Sequence, residues 1–343
     1  MSNNHNLKNR IRTVWPILVG VIILSLLLSG CGGTAAASKV YHVGVLSGLD
    51  AFAPAVDGLK GKLTELGYTE GKNIVYDVQK TNVDMDAYKK ITQKFVADKA
   101  DLIFVFPTEA AMEAKAATQG TNIPVVFDLA FTDVTGVDLI NSVREPGGNI
   151  TGVRFPSADI ASKRLELLLE MVPTAKRIWV PYLKGYPNVP GQLDAIRSMA
   201  QKAGITLTEF AATSPQDLQA ELDKRAAAGD IGMDAILLIA EPLSITPDFF
   251  SVLGKFGYDH KVPIGGAPMI VGDYGTIFGL LPNAKSAGVQ AATIVDKVLK
   301  GTRAGTIPVA TSESDLQINV KAAQAMGVTV PDGLLKMANK IIR

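Results

Sequence analysis

The chain is short of the side chains that usually do chemistry. It has one cysteine, Cys31, and three histidines in 343 residues. A single thiol forms no internal disulfide, and no histidine lies near another histidine or a cysteine at zinc-ligand spacing. The acids are dispersed, so neither a metal site nor a cofactor is expected. No Gly-x-Ser-x-Gly stretch is present, which removes the usual nucleophile elbow of an α/β hydrolase. An exported α/β enzyme is therefore the weaker reading, and the expectation is a protein that is not an enzyme. Charge of one sign is also missing: 34 basic residues stand against 33 acidic ones. With no basic field, nucleic acid is excluded as a partner. Long charge runs and low-complexity segments are absent, and only one long apolar run occurs.

That run is at the N-terminus. Lys8, Arg10 and Arg12 precede an apolar stretch over 15–28, with no acid before Cys31. About 14 apolar residues are too few to span a bilayer, which takes roughly 20. Leu28-Ser29-Gly30-Cys31 resembles the lipobox of bacterial lipoproteins, an aliphatic residue and two small ones before cysteine. The resemblance implies cleavage before Cys31 and a thioether-linked diacylglycerol on it, and two acyl chains give stable anchoring. Residues 1–30 are then the signal and 31–38, small and uncharged, a flexible tether. An uncleaved membrane helix and an ordinary signal peptide with an incidental cysteine are the alternatives. The expected location is extracytoplasmic, lipid-anchored to the cell membrane of a bacterial envelope. Removing residues 1–30 takes away three basic residues and no acid, moving the net charge from +1 to −2.

The remaining length suits two domains with real cores. Strand and helix patterns alternate throughout. Strands are predicted at 40–46, 74–78, 102–106 and 124–127, with helices at 54–66, 84–99 and 109–118 between them. Leu102-Ile103-Phe104-Val105-Phe106 is a continuous apolar run, the mark of a central parallel strand. After the break at Pro146-Gly147-Gly148-Asn149 the pattern repeats. A short strand at 150–153 leads to helices at 160–171, 192–203, 215–228 and 247–258, with strands at 177–180, 206–210, 235–239 and 262–265. The tail adds a helix at 284–299, a strand at 316–320 and two short helices. The glycine-rich break lacks Gly-Lys-Ser/Thr and precedes a strand, so it is a turn rather than a phosphate loop. Such order gives an α/β fold of two doubly wound parallel-sheet lobes joined by a hinge with several crossings. The expected lobes are 39–152 with 276–306, and 153–275 with 307–343.

Several segments resemble the substrate-binding lipoproteins of ABC importers whose best-known members bind tryptophan or tyrosine. They are Leu66-Gly67-Tyr68, Glu70-Gly71-Lys72-Asn73-Ile74, Ala110-Ala111 through Lys115-Ala116, Pro146 through Val153, Lys163-Arg164-Leu165-Glu166-Leu167, Ile318-Asn319, Ala322-Ala323, Gly327 and Val330-Pro331. The resemblance implies a type I periplasmic-binding-protein fold with three crossings between lobes. It also implies an ABC permease and its ATPase as partners, a small-molecule ligand closed between the lobes, and a monomer. A ligand-sensing lipoprotein acting on a membrane receptor would use the same cleft. Three loops depart from the family. Ser47 through Phe52 lacks a His-Pro-like pair, Val134 replaces a proline after Asp133, and Pro181 through Asn188 alters a Tyr-Asn-Pro-like segment.

In open α/β sheets ligands bind beyond the carboxyl ends of the strands. That rule selects Ser47, Asp50, Phe52, Pro107, Thr108, Glu109, Asp128 and Asp133 in the first lobe. In the second it selects Tyr182, Tyr186, Asn188, Glu241, Pro268 and Asp273. A helix starting at Thr108 or Glu109 offers backbone N–H groups to a carboxylate, and Asp128 or Asp50 would pair with an amino group. The plainer readings are Thr108 as a helix cap, Asp128 and Asp133 as loop-backbone acceptors, and Tyr182 and Tyr186 as packing between the lobes. Family and aromatic candidates together favour an aromatic amino acid, with branched amino acids, nucleosides and other small polar molecules as the alternatives.

Overall fold

The structure is a computed structural model that describes residues 39–132 and 138–343. The signal, Cys31, the tether and Asp133 lie outside the described residues. The first lobe begins with β1 (Tyr41–Ser47), α1 (Pro54–Glu65), β2 (Ile74–Lys80), α2 (Met85–Ala97), β3 (Leu102–Phe106), α3 (Thr108–Ala117), β4 (Val125–Ala130) and β5 (Ile150–Arg154). The second follows with α4 (Ser157–Met171), β6 (Arg177–Leu183), α5 (Val189–Ala203), β7 (Thr206–Ala212), α6 (Pro215–Ala226), β8 (Ala235–Leu237), α7 (Pro247–His260) and β9 (Ile264–Gly266). A small hairpin, β10 (Ile270–Val271) with β11 (Tyr274–Gly275), leads to β12 (Phe278–Pro282). The tail holds α8 (Ala284–Leu299), β13 (Ala310–Thr311), β14 (Ser314–Asn319), α9 (Val320–Ala325), α10 (Asp332–Met337) and β15 (Lys340–Ile342).

Two sheets carry the lobes. The first runs β13-β5-β4-β3-β1-β2, parallel throughout. The second runs β15-β14-β12-β9-β8-β6-β7, with β14 antiparallel to β12. Both therefore share one winding: β2-β1-β3-β4-β5 matches β7-β6-β8-β9-β12. The chain reverses direction across the sheet between β1 and β3, and again between β6 and β8. A crevice opens at such a switch point, at the carboxyl ends of the strands. All five residues of β3 are buried, as its apolar run requires of a strand covered on both faces. Asp84 caps α2, accepting from the Ala87 N–H at 2.9 Å.

The lobes are joined by three crossings, at Phe155-Pro156, at Asn283 and at Ser312-Glu313. They are laced together: the Ser312 N–H donates to the Arg154 carbonyl and the Asn283 N–H to that of Glu313, both at 2.9 Å. Each crossing is displaced from its sequence-based position. Arg154 still belongs to β5, so the first crossing comes after it rather than at 152/153. Phe278–Pro282 is a strand of the second sheet, which moves the second crossing from 275/276 to Pro282/Asn283. Gly279 and Pro282 hid that strand from its composition. Gly279 is required there, because a Cβ would lie 2.3 Å from the Pro268 nitrogen. Ala310–Thr311 pairs with β5 in the first sheet, so the last crossing follows Thr311 rather than residue 306. Helix α8 packs in the first lobe as expected, sharing a cluster with Val43, Leu59 and Phe104.

Candidate functional site

The cleft wall of the first lobe is built from the ends of β1, β3 and β4. Ser47 closes β1 and is buried. Gly48 follows in the angle between Phe106 and Tyr88, where a Cβ would come within 2.6 Å of the Phe106 carbonyl. Tyr88 donates its hydroxyl to the Gly48 carbonyl. Pro107 is the N-cap of α3 and supplies no side-chain bond. Thr108 is the first helical residue rather than the cap, and its Oγ1 accepts from the Phe131 N–H at 2.8 Å. That bond ties the end of β4 to the start of α3. The first-turn N–H groups of α3 thus have no side-chain cap, and they carry the positive end of the helix dipole.

The second wall comes from the ends of β6 and β8. Glu241 is 5% exposed. Its Oε2 accepts from the N–H groups of Leu183 at 3.2 Å and Leu243 at 3.0 Å. Asn188, 2% exposed, stands at the N-cap of α5 without capping it. Its Nδ2 donates to the Ala240 carbonyl at 2.7 Å. Tyr186 crosses to the first lobe and donates to Glu109 Oε1 at 2.9 Å, so the two walls touch. Phe131 and Phe155 stack at 5.5 Å between ring centroids beside the first crossing, and Phe131 packs against the core of the second lobe.

Charge in this region is set by burial. Burial pushes the Glu241 carboxyl up to about 7, against the Leu243 and Leu183 N–H groups and Arg164, which favour its charged form. Arg164 is fully buried on α4, donating from Nη1 to the Leu238 carbonyl at 3.0 Å and from Nη2 and Nε to that of Leu280 at 2.8 and 3.2 Å. Burial brings its guanidinium down to about 9. The Tyr186 hydroxyl is held well above its ordinary value by burial and then by Glu109. Asp128 is 0% exposed and neither carboxylate oxygen has a hydrogen-bond partner. Burial holds its carboxyl well above the usual range, opposed only by the Leu129 N–H.

The sequence-selected residues divide into two groups. Ser47, Pro107, Thr108, Glu109, Tyr186, Asn188 and Glu241 come together at the facing strand ends. Asp133 lies outside the described residues, and the other six sit elsewhere. Asp50 is exposed in a single turn over Asp50–Phe52, its N–H on Asn82. Phe52 packs on the core cluster of the first lobe and Tyr182 on that of the second. Asp128 lies within β4 rather than beyond it. Pro268 packs on Gly279. Asp273 is the clearest correction. It is exposed at the tip of the β10–β11 hairpin, which rests on Gly254, Tyr258 and Asn319. Those contacts involve the carboxyl-terminal half of α7 and the end of the antiparallel β14, at the opposite end of the sheet from the cleft.

Arg164, Tyr88 and the Phe131–Phe155 stack were not selected from sequence. Arg164 left a signal: Ala161, Arg164, Leu165 and Leu168 fall at the i, i+3, i+4, i+7 spacing of one helix face. A charge on that buried stripe requires partners in the core. Among the described residues, no three His, Cys, Asp or Glu side chains are grouped to hold a metal ion, and no helix is long and apolar enough to cross a membrane.

The model of the ABC transporter substrate binding protein family matches residues 42–342. The chain belongs to that family. Family members bind a small solute for an ABC transporter, outside the cytoplasm, and are binding proteins rather than enzymes. A tyrosine-binding protein of Clostridioides difficile (strain R20291) is 29% identical over 279 residues, covering 79% of this chain and 76% of that protein. A solved ABC domain from Streptococcus pneumoniae in complex with L-Trp superposes with a TM-score of 0.73 at 25% identity, covering 89% of this chain and all of that one. A ligand-free, open structure of a substrate-binding protein with adhesive properties from Clostridium difficile gives 0.72 at 25% identity, covering 88% of this chain and 99% of that one. The type I periplasmic-binding-protein fold is thereby assigned to this substrate-binding protein.

Proposed function

We propose that this substrate-binding protein captures an aromatic L-amino acid between its lobes and delivers it to a membrane permease served by a cytoplasmic ATPase. The observation that carries the reading is the aromatic stack of Phe131 on Phe155, set beside the uncapped start of α3. A flat ring favours an aromatic surface, and helix N–H groups favour the carboxylate of the same ligand. The tyrosine-binding relative and the L-Trp complex support the choice. Ligand bridging the walls shifts the population toward the closed form, with the three crossings as the hinge. The protein acts as a monomer, held at the membrane by a diacylglycerol on Cys31 that raises its effective concentration near the permease.

A thermal-shift screen of the full chain in detergent micelles tests the ligand. Tyrosine, tryptophan and phenylalanine are expected to raise the melting temperature by mass action, with sugars and nucleosides inert. No shift with any aromatic amino acid would sink the reading. Intact-mass measurement of membrane-purified protein tests the anchor. An unmodified N-terminal Met1 would rule it out.

A further inference from the structure

Glu241 and Asn188 hang on one short piece of backbone. Asn188 Nδ2 holds the Ala240 carbonyl. Gln192 brackets the same residue, accepting from the Ala240 N–H at 2.7 Å and donating to its carbonyl at 3.0 Å. Glu241 is next in the chain, with Oε2 fixed by two backbone N–H groups. Each side chain has one oxygen over. Glu241 Oε1 and Asn188 Oδ1 are both buried and have no hydrogen-bond partner. The nearby donors are already committed: Arg164 to the Leu238 and Leu280 carbonyls, the Tyr186 hydroxyl to Glu109, and the Ser244 N–H and hydroxyl to the Glu241 main-chain carbonyl at 3.1 and 2.7 Å. A buried acceptor is satisfied only by a donor, and here two acceptors are supplied by one rigid wall.

We propose that Glu241 and Asn188 form an acceptor-only subsite for the ammonium group of the ligand, Oε1 and Oδ1 each accepting one of its N–H bonds. The proposal rests on the amino-acid reading of the cleft and deepens it by placing the amine on the second lobe, opposite the start of α3. An ammonium group carries three donors and the charge that complements a carboxylate. Asp128 is the rival acid. It lies inside β4 with only the Leu129 N–H to favour its ionised form, whereas the Leu243, Leu183 and Ser244 N–H groups and Arg164 favour that of Glu241.

The pH dependence follows. The charged group acting on Glu241 is Arg164 from α4; Tyr186, which lies between Glu241 and Glu109 across the cleft, and Tyr88 stay neutral. The unliganded Glu241 carboxyl titrates at about 7, and a bound ammonium favours its charged form. Affinity is therefore full above that value and falls about tenfold per pH unit below it.

Calorimetric titration of the full chain in micelles at pH 5 to 8 is the test, with L-tryptophan, L-tyrosine, L-leucine, tryptamine and indole-3-propionate as probes. Wild-type protein is expected to bind the best amino acid about a hundredfold more tightly than the acid lacking the amine. Glu241→Gln keeps the shape: its amide oxygen takes the two N–H groups and its NH2 lies where Oε1 was. It should weaken amino-acid binding about a hundredfold and flatten the pH slope. Indole-3-propionate equal to tryptophan in the wild type overturns the subsite, with no variant needed. A slope that survives in Glu241→Gln transfers the amine to Asp128 and also overturns it, as does the failure of every amine to bind. If leucine binds with the expected slope while tryptophan and tyrosine do not, the aromatic reading falls and the subsite stands.

Discussion

The two lobes share one strand order but finish their sheets differently. In the first, β1, β3 and β4 run five to seven residues to the cleft, and the wall beyond them is packed and rich in donors. In the second, β8 and β9 are three residues each. The ladder stops short, and Arg164 takes over, donating to the Leu238 and Leu280 carbonyls. A side-chain cation thus does in one lobe what backbone does in the other. It also leaves a polar end on which Glu241 and Asn188 sit. The same winding therefore yields two different walls, with uncapped N–H groups at the start of α3 on one and the unpartnered oxygens of Glu241 and Asn188 on the other. A zwitterionic ligand fits that asymmetry better than a neutral one.

The comparison breaks most readily at Arg164. Arg164→Met keeps much of the volume but leaves two buried carbonyls without donors. It also removes the cation that favours ionised Glu241. The expected loss is about 3 to 5 kcal/mol of stability, read from the denaturant midpoint. A loss below about 1 kcal/mol would mean that the second sheet does not depend on its side-chain donor.

In the first lobe the sensitive point is steric. Gly48→Ala puts a methyl 2.6 Å from the Phe106 carbonyl and 2.7 Å from the Tyr88 ring. Backbone cannot yield as a flexible side chain does, so overpacking should cost about 1 to 3 kcal/mol. The matching position after β6 is Lys184, which is exposed, and Lys184→Ala should leave the unfolding midpoint nearly unchanged. Equal effects at the two positions would erase the distinction between a packed wall and a polar one.

Local pattern made most of this fold legible. Leu102–Phe106 and Ala284–Leu299 have the bounds that their composition implies, because each is a long run of one period. The repeated winding was readable as strand, glycine-stopped helix, strand. What escaped was set by partners distant in sequence. The connection from β9 back to β12 uses a hairpin instead of a helix, which carries Asp273 away from the strand end where its place in the sequence puts it. The cleft contact pairs residues 77 apart in the chain, Tyr186 and Glu109. The Phe131–Phe155 stack depends on a crossing whose position no periodicity encodes. Asn188 and Glu241 were selectable as loop residues at strand ends. That each keeps an unpartnered oxygen depends on Gln192, Leu183 and Leu243 taking up the rest, and only the assembled backbone reveals it.

The smallest expected effect is at the contact that joins the walls. Tyr186→Phe removes the donor to Glu109 while keeping the ring. Exchanging a hydrogen bond for solvation is worth about 1 kcal/mol, and here that term favours only the closed arrangement. The variant should therefore populate the open form more, enlarging the ligand-free radius of gyration in solution scattering. Affinity for the best amino acid should weaken by about fivefold through the reduced closed population. Unfolding of either lobe should barely change, since the ring still packs on the second-lobe core. A variant as compact as wild type, with unchanged affinity, would show that the walls meet by shape alone, and that the asymmetry between them serves the ligand rather than the closure.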